Sequence, residues 1–187
     1  LAGFLTWVRG LYAVITLRSL KRGARDVVEL ELDQVYVPLT AVRPLASRDR
    51  LAQRGDPQIE QTISMNQVLA TGRRLVVIGG PGCGKTTVLQ HIAWTLASAL
   101  AQDDPTLARN RLGLTLAPGE ALPLPIYTPL SSFARYRRAH RDDPDPARRT
   151  LAAFISSHLI EKQAGFDLPG DFFARLLREG RSVLLLL

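Results

Sequence analysis

Near its middle the sequence reads Gly79-Gly80-Pro81-Gly82-Cys83-Gly84-Lys85-Thr86, which fits the pattern G-x-x-x-x-G-K-[ST]. Leu75-Val76-Val77-Ile78 comes directly before it, a β-branched apolar run that is typical of a strand buried on both faces. After it, apolar residues recur at helical spacing: Val88, Leu89, Ile92, Ala93, Leu96, Ala97 and Leu100. The sequence therefore predicts a strand, a glycine loop and a helix in that order, which is the context that the pattern requires.

The residue types of this stretch suit the binding of a nucleoside triphosphate, as in a Walker A loop or P-loop. Glycines allow positive φ angles and let backbone N–H groups approach phosphate oxygens. A helix that begins near Lys85 adds unpaired N–H groups and the positive end of its dipole. We expect Lys85 to reach the β- and γ-phosphates, Thr86 to ligate Mg²⁺ and Thr87 to lie near the α-phosphate. The alternative is a glycine-rich turn that only packs, but the chemistry of the motif favours phosphate binding.

Composition and charge narrow the class of protein. Of the 187 residues, 46% are hydrophobic and 22% are charged, which favours a globular chain over a disordered one. The net charge of +7 comes mostly from arginine and permits binding to nucleic acid or to an anionic membrane. The alternative is that acidic residues lie in another part of the protein. Cys83, the single cysteine, excludes an internal disulfide and a cysteine-rich zinc site and fits a reducing, cytoplasmic location.

The two ends of the sequence carry separate signals. The chain opens on Leu1 and stops inside the apolar run 181–187; because a buried strand must turn out and be covered, we expect both ends to be cut from a longer protein. Residues 1–17 contain Arg9 and no small-residue cleavage site, which argues against a secretory signal and a membrane span. Their apolar residues recur at three- and four-residue spacing, which predicts an amphipathic helix.

The order of the predicted elements is helix, strand and then strand–helix units, which indicates an α/β fold. Prolines place the core of one strand at 126–128 near a sheet edge, and Ser131 is predicted to cap the helix that follows. The other predictions are a linker over 18–26, extended structure over 27–39, a loop over 43–57, a helix over 59–70, a surface connection over 101–121, an acidic loop over 142–146, helices over 151–162 and 171–179, and a strand over 182–187.

Three blocks of sequence together resemble a NACHT-type member of the STAND P-loop NTPases. The first runs from Leu75 through the P-loop to Leu89. The second is Leu122-Pro123-Leu124-Pro125-Ile126-Tyr127-Thr128-Pro129-Leu130, followed by a short helix with Phe133, and the third is Glu179-Gly180-Arg181 entering a leucine-rich strand. Val35-Tyr36-Val37-Pro38-Leu39 also resembles the lead-in of bacterial NACHT proteins. The resemblance covers roughly residues 35–187.

The resemblance implies a P-loop NTPase three-layer sandwich with a mainly parallel, incomplete sheet. It divides the chain into an upstream helix and linker over 1–34 and the N-terminal part of a NACHT-like domain over 35–187. The Walker B carboxylates, the sensor arginine and the winged helix are then expected beyond Leu187. A further strand is expected to lie between the P-loop strand and the Walker B strand, so that residues 74–79 lack a neighbour and this part alone is aggregation-prone.

The functional implication is a signalling switch that binds ATP and Mg²⁺, oligomerises on activation and hydrolyses ATP slowly as a reset. ATP is preferred to GTP on the resemblance alone, and without Walker B this part is not expected to hydrolyse nucleotide by itself. Tyr36 and Pro38 are candidates to line the adenine pocket; an edge strand that packs on the core is an equal alternative. Two other functions stay open: a nucleic-acid-directed AAA-type ATPase or helicase, and a nucleotide-binding scaffold without hydrolysis.

Several lesser signals receive structural interpretations. Cys83 lies where a thiolate is favoured, yet a small, permissive loop residue is the preferred interpretation over a redox role. His91, Trp94, His140 and His158 are interpreted as packing residues, because no second acid or base is spaced with them. The basic run 135–141 is interpreted as a solvated helix end, with nucleic-acid binding as the less favoured alternative.

Overall fold

The computed structural model describes residues 1–18, 27–43, 61–161, 168–169, 171–179 and 182–187. The helices are α1 (Ala2–Tyr12), α2 (Leu32–Val35), α3 (Lys85–Gln102), α4 (Pro105–Leu112), α5 (Leu130–Ala139), α6 (Leu151–Glu161) and α7 (Phe172–Arg178). The strands are β1 (Val14–Arg18), β2 (Val27–Glu31), β3 (Thr40–Arg43), β4 (Gln61–Ser64), β5 (Leu124–Tyr127) and β6 (Val183–Leu186). The predicted mixed α/β class is confirmed; most of the predicted linker over 18–26 and loop over 43–57 lie outside the described residues.

Helix α3 is the centre of the core, and it begins where the sequence predicts. Its buried apolar residues include Val88, Ile92, Leu96 and Ala99, and they share one core with residues of α1, α4, β5, α6 and α7. Helix α1 packs along α3 with four buried side chains, Phe4, Leu5, Val8 and Tyr12. The predicted amphipathic character of this helix is confirmed, although it ends at Tyr12 and the chain continues as β1.

The strands pair two by two among the described residues. β1 pairs with β2 and β3 with β4, both antiparallel, whereas β5 and β6 are parallel with Ile126 opposite Leu185. β5 begins at Leu124, earlier than predicted, and includes Pro125. The N–H groups of Leu124 and Thr128 donate to the carbonyl oxygens of Ser182 and Leu186, each at 2.9 Å. Since alternate residues of a strand face the same neighbour, the nitrogen of Pro125 points away from β6 and its missing N–H costs no bond there.

The predicted strand at 75–78 is not formed in this structure. These residues have no regular secondary structure, because no described strand pairs with them. The chain nevertheless keeps the two-residue alternation of an extended segment: Val76 and Ile78 are 88% and 92% exposed, whereas Leu75 and Val77 are 40% and 41% exposed. A run of apolar residues thus leads into the loop with its backbone unpaired by any described residue.

Four further predictions need correction. The segment predicted as a helix over 59–70 contains β4, whose register is fixed by pairing with β3, and then a 3-10 helix, Met65–Thr71. The segment predicted as extended over 27–39 is interrupted by α2. The predicted surface connection contains α4, which begins after Asp104; the Asp104 carboxylate accepts from the Thr106 N–H at 2.9 Å. Ser131 lies inside α5, which begins after Pro129, so it does not cap that helix.

Candidate functional site

The glycine loop turns sharply into α3 at two positions with positive φ angles. Gly82 has a φ of 75° and Gly84 a φ of 82°, a region in which side chains other than glycine are strained. The Cys83 N–H faces the Gly80 carbonyl at 3.5 Å. A Cβ added at Gly80 or Gly82 would meet no atom within 4 Å, so the outer side of the loop is open. The loop therefore has the turn and the clearance that close approach of an anion requires.

Lys85 closes this loop from the first turn of α3. Its Nζ atom donates to the carbonyl oxygens of Gly79 at 2.8 Å and Gly80 at 2.7 Å, and it lies 3.4 Å from Cys83 Sγ. A lysine ammonium has three donors, and these contacts use them all. The positive charge is thereby held at the loop backbone, beside the N-terminus of α3, which is the positive end of the helix dipole.

The first turn of α3 places the two threonines predicted for nucleotide binding. Thr86 is exposed and Thr87 is half-buried. The N–H of Val88 bonds to Gly84 O at 2.9 Å, and it is the first of the helix to have an intrahelical partner. The N–H groups of Lys85, Thr86 and Thr87 therefore precede the helical hydrogen-bond ladder, which is the arrangement that binds phosphate at helix N-termini.

The Mg²⁺ prediction depends on a single protein group in this part of the chain. The exposed Thr86 hydroxyl follows Lys85 directly and has the oxygen chemistry that Mg²⁺ prefers. In the described ranges, no three His, Cys, Asp or Glu side chains come together as a ready-made metal site. A threonine and nucleotide phosphates suit Mg²⁺, which keeps several waters and takes few protein ligands.

The lead-in segment at residues 36–39 lies against α3 and the glycine loop. The rings of Tyr36 and His91 are stacked, with centroids 3.7 Å apart and planes inclined by 18°. A Cβ added at Gly84 would come within 2.9 Å of Leu39 Cδ1, so this leucine lies against the loop. The structure brings Tyr36 to α3 at His91, about 9 Å along the helix axis from Lys85 at 1.5 Å per residue. Pro38 is exposed between the two contacts.

A second set of contacts holds α2 to the same helix. Arg111 on α4 forms an ion pair with Asp33, and its Nη2 donates to Asp33 Oδ2 at 3.1 Å. The guanidinium of Arg111 also lies over the Trp94 ring, 5.5 Å from its centroid. Such cation–π contacts contribute about 0.5–1 kcal/mol at exposed sites. Trp94 on α3, Arg111 on α4 and Asp33 on α2 thus join three elements beside Tyr36.

Burial changes the pKa values of the stacked pair. Desolvation lowers the pKa of His91 to about 4 and raises the pKa of Tyr36. Both rings are therefore neutral at physiological pH. The interpretation of His91 as a packing residue is confirmed by its burial. Asp33 and Arg111 are 78 residues apart, and a contact between distant residues leaves no local pattern from which a single sequence could predict it.

Comparison of the chain with protein-family models, with curated proteins and with solved structures found no match. The resemblance to NACHT proteins thus depends on the quoted motifs and stays a prediction, as do the boundary at 34/35 and the roles of the site residues. Across the described ranges, the helices are all too short or too polar to cross a membrane.

Proposed function

We propose that this chain binds ATP with Mg²⁺ through residues 79–87, as the nucleotide-binding part of a NACHT-like signalling switch. The observation that carries the proposal is the position of Lys85. Its ammonium is held by the carbonyls of Gly79 and Gly80 at the start of an 18-residue helix, beside two glycines with positive φ angles. A phosphate-binding loop needs this combination of charge, open backbone and helix N-terminus.

Each residue of the loop has a separate part in binding. Lys85 exchanges a carbonyl partner for a phosphate oxygen, which is favourable because a hydrogen bond between two charged groups is stronger than one to a neutral carbonyl. The N–H groups of the first turn of α3 donate to the same anion. Thr86 contributes its hydroxyl to the Mg²⁺ shell, and Mg²⁺ neutralises phosphate charge when it is bound. Gly82 and Gly84 keep the backbone in the conformation that directs these donors outward.

The lead-in segment supports a base-binding role for Tyr36. This side chain is half-buried and stacks on His91 of α3, while Leu39 lies against Gly84 and Asp33 is paired with Arg111 on either side of it in the sequence. An aromatic ring that is already ordered loses little entropy when a second flat ring stacks on its exposed edge or face. Pro38, exposed next to it, would form the rim of the same pocket.

We further propose that residues 75–78 and the β5–β6 pair belong to one mainly parallel sheet of a three-layer P-loop sandwich. The alternating exposure of 75–78 is that of an extended strand without neighbours. The right side-chain chemistry is present as well, since β-branched residues fit a buried parallel strand. Oligomerisation, slow hydrolysis and cytoplasmic location follow from the resemblance and belong to the same proposal.

The test is ATP binding by the protein beside a Lys85→Ala variant, measured by isothermal calorimetry with Mg²⁺. We expect micromolar binding in the wild type and affinity lowered roughly 10- to 100-fold in the variant, which matches about 1.5–3 kcal/mol for a charged hydrogen bond. Arg109→Ala removes an equal charge from an exposed site on α4 and should leave the affinity unchanged. Unaltered binding in Lys85→Ala would contradict the assignment of the loop.

Hydrolysis separates the switch from the alternative functions. Slow turnover that is indifferent to nucleic acid supports the switch. Turnover that rises with added DNA or RNA favours a nucleic-acid-directed motor, and binding without turnover favours a scaffold. GTP is measured alongside ATP in each assay, since the preference for ATP depends on the resemblance alone.

A further inference from the structure

Six exposed arginines lie within residues 135–149, on the second half of α5, just beyond its end and on the 3-10 turn Pro146–Arg149. We call this the arginine surface; its members are Arg135, Arg137, Arg138, Arg141, Arg148 and Arg149. In the sequence only the first four form a run, and the last two follow an acidic segment. The structure therefore creates a larger basic surface than the run itself shows.

The turn is held against α5 by specific contacts. Tyr136 donates its hydroxyl proton to the carbonyl of Arg148 at 2.7 Å, and Arg149 Nη1 donates to the carbonyl of Arg141 at 3.3 Å. Asp145 accepts from the Ala147 N–H at 2.9 Å and so caps the turn. These bonds fix Arg148 and Arg149 beside the helix, so their proximity is part of the fold.

The aspartates nearby only partly neutralise this surface. Asp143 forms an ion pair with Arg148 at 3.6 Å and also accepts from the Asp145 N–H at 3.0 Å. The Asp145 carboxylate accepts from the Ala147 N–H within the turn, and Asp142 is the third acidic residue of the segment. Six arginines against three aspartates leave three positive charges. The side chains of Arg135, Arg137, Arg138 and Arg141 form no ion pair with any residue that the structure describes.

We propose that the arginine surface binds the phosphate backbone of nucleic acid without reading its sequence. Arginine presents a planar fork of donors that matches two phosphate oxygens, and neutralising phosphates releases counterions. Base stacking is not part of the proposal, since the Tyr136 ring already contacts two rings, His140 at 4.1 Å and Phe154 at 5.3 Å, and its hydroxyl is bonded to Arg148 O. The contacts proposed for the ligand are charged hydrogen bonds from the guanidinium groups.

An anionic membrane is the less suitable partner. A helix that lies in a membrane interface needs a continuous exposed apolar face beside its basic one. On α5 the large side chain of Leu130 is exposed, but Phe133 packs against Phe154 with ring centroids 5.3 Å apart. A second explanation for the arginines is that cations stabilise the C-terminal end of a helix dipole. The experiment has to separate both from nucleic-acid binding.

The test is fluorescence anisotropy with a labelled DNA duplex and a labelled single-stranded RNA, at salt concentrations between about 50 and 200 mM. The variant Arg135→Gln/Arg138→Gln removes two charges from one helix face, and Arg109→Gln/Arg178→Gln is the matched control on α4 and α7. We expect the first variant to weaken binding and to reduce the slope of log K against log salt by about 1.4–1.8, and the control to do neither. Lys85→Ala should bind nucleic acid normally, which makes this proposal independent of nucleotide binding.

Two further variants keep the proposal open to contradiction. If the first variant is poorly folded, Arg137→Gln/Arg141→Gln tests the same surface, and it should weaken binding to the same extent. Arg135→Lys/Arg138→Lys should restore the salt slope because it restores the charge. Equal weakening in the surface and control variants would overturn the proposal, as would a lack of binding at the lowest salt. Tighter binding to phosphatidylserine vesicles than to either nucleic acid would assign the surface to a membrane instead.

Discussion

At the scale of single residues, burial determines the charge of His91, whose ring stacks on Tyr36 of the lead-in segment. The His91 side chain is 4% exposed, and its Nδ1 has no hydrogen-bond partner among the described residues. A proton added to this ring would leave a buried charge without a described carboxylate partner. Desolvation therefore holds the pKa of His91 at about 4, below its ordinary value of 6.5.

This pKa predicts a loss of stability in acid. Between pH 6.5 and about 4 the unfolded chain binds a proton at His91 that the folded chain does not, so the free energy of unfolding falls as the pH is lowered through this window. The full effect is about 3 kcal/mol, at about 1.4 kcal/mol per pKa unit. Urea unfolding of the wild type and of His91→Phe, at several values between pH 4 and 7.5, measures it. His91→Phe keeps an aromatic ring at this position but cannot bind the proton. If its free energy of unfolding fell with decreasing pH as steeply as that of the wild type, the pH dependence would not come from His91.

At the scale of secondary-structure elements, the segment before the loop and the β5–β6 pair should behave differently. The strand β5 is hydrogen-bonded to the chain around β6 through Leu124 and Thr128, whereas residues 75–78 pair with no described residue. We therefore expect the amides of 75–78 to exchange with deuterium at nearly unprotected rates and those of β5 and α3 to exchange slowly. Hydrogen exchange followed by mass spectrometry measures both in one experiment.

A second outcome of that experiment bears on the proposed sheet. If the amides of 75–78 were as well protected as those of β5, residues 75–78 would not be unpaired. In the proposed three-layer sandwich residues 75–78 are paired in a sheet, so their amides should become protected once a neighbouring strand pairs with them, and a failure to do so would contradict that arrangement. The comparison uses the same peptides, so α3 serves as the internal reference.

Local signals explain which elements the sequence predicts. The glycine loop and α3 can be predicted from local sequence, since Gly84 ends the loop in a left-handed conformation and apolar residues follow at helical spacing. Helix α4 carries a start signal too, Asp104 followed by Pro105, but the two prolines and mixed charge of 101–121 also suit a surface connection. Residues 61–64 are paired with β3, whereas residues 75–78 pair with no described strand, and pairing between distant segments is not written in a local pattern.

The same reasoning applies to the candidate site. The sequence predicts the residues of the candidate loop, because the motif is contiguous and its chemistry is local. The position of Tyr36 on His91 and the ion pair between Asp33 and Arg111 depend on how α2, α3 and α4 pack together. Contacts of this kind require the three-dimensional arrangement, and they are the part of the site that a single sequence does not reveal.

At the scale of the whole molecule, α3 is surrounded by elements from both predicted domains. Helix α1 belongs to the upstream segment 1–34, yet Phe4, Leu5, Val8 and Tyr12 are buried in the same core as α3. Phe4 also makes an edge-to-face contact with Phe173 on α7, with ring centroids 5.8 Å apart. A helix that only linked two domains would expose most of this surface.

The packing of α1 predicts a large effect of a substitution outside the proposed nucleotide-binding segment. Phe4 is 2% exposed, so Phe4→Ala should lower the free energy of unfolding by about 3–5 kcal/mol through lost burial and a residual cavity. Leu11→Ala on the same helix is the matched control; because Leu11 is 44% exposed, it should change stability by no more than about 0.5 kcal/mol. Urea unfolding followed by tryptophan fluorescence measures both. If Phe4→Ala were as mild as the control, α1 would be a separate linker, and the boundary predicted at residue 35 would stand as a structural one. If it is as severe as expected, α1 belongs to the folded unit that carries the glycine loop, and nucleotide binding should be measured with this helix present.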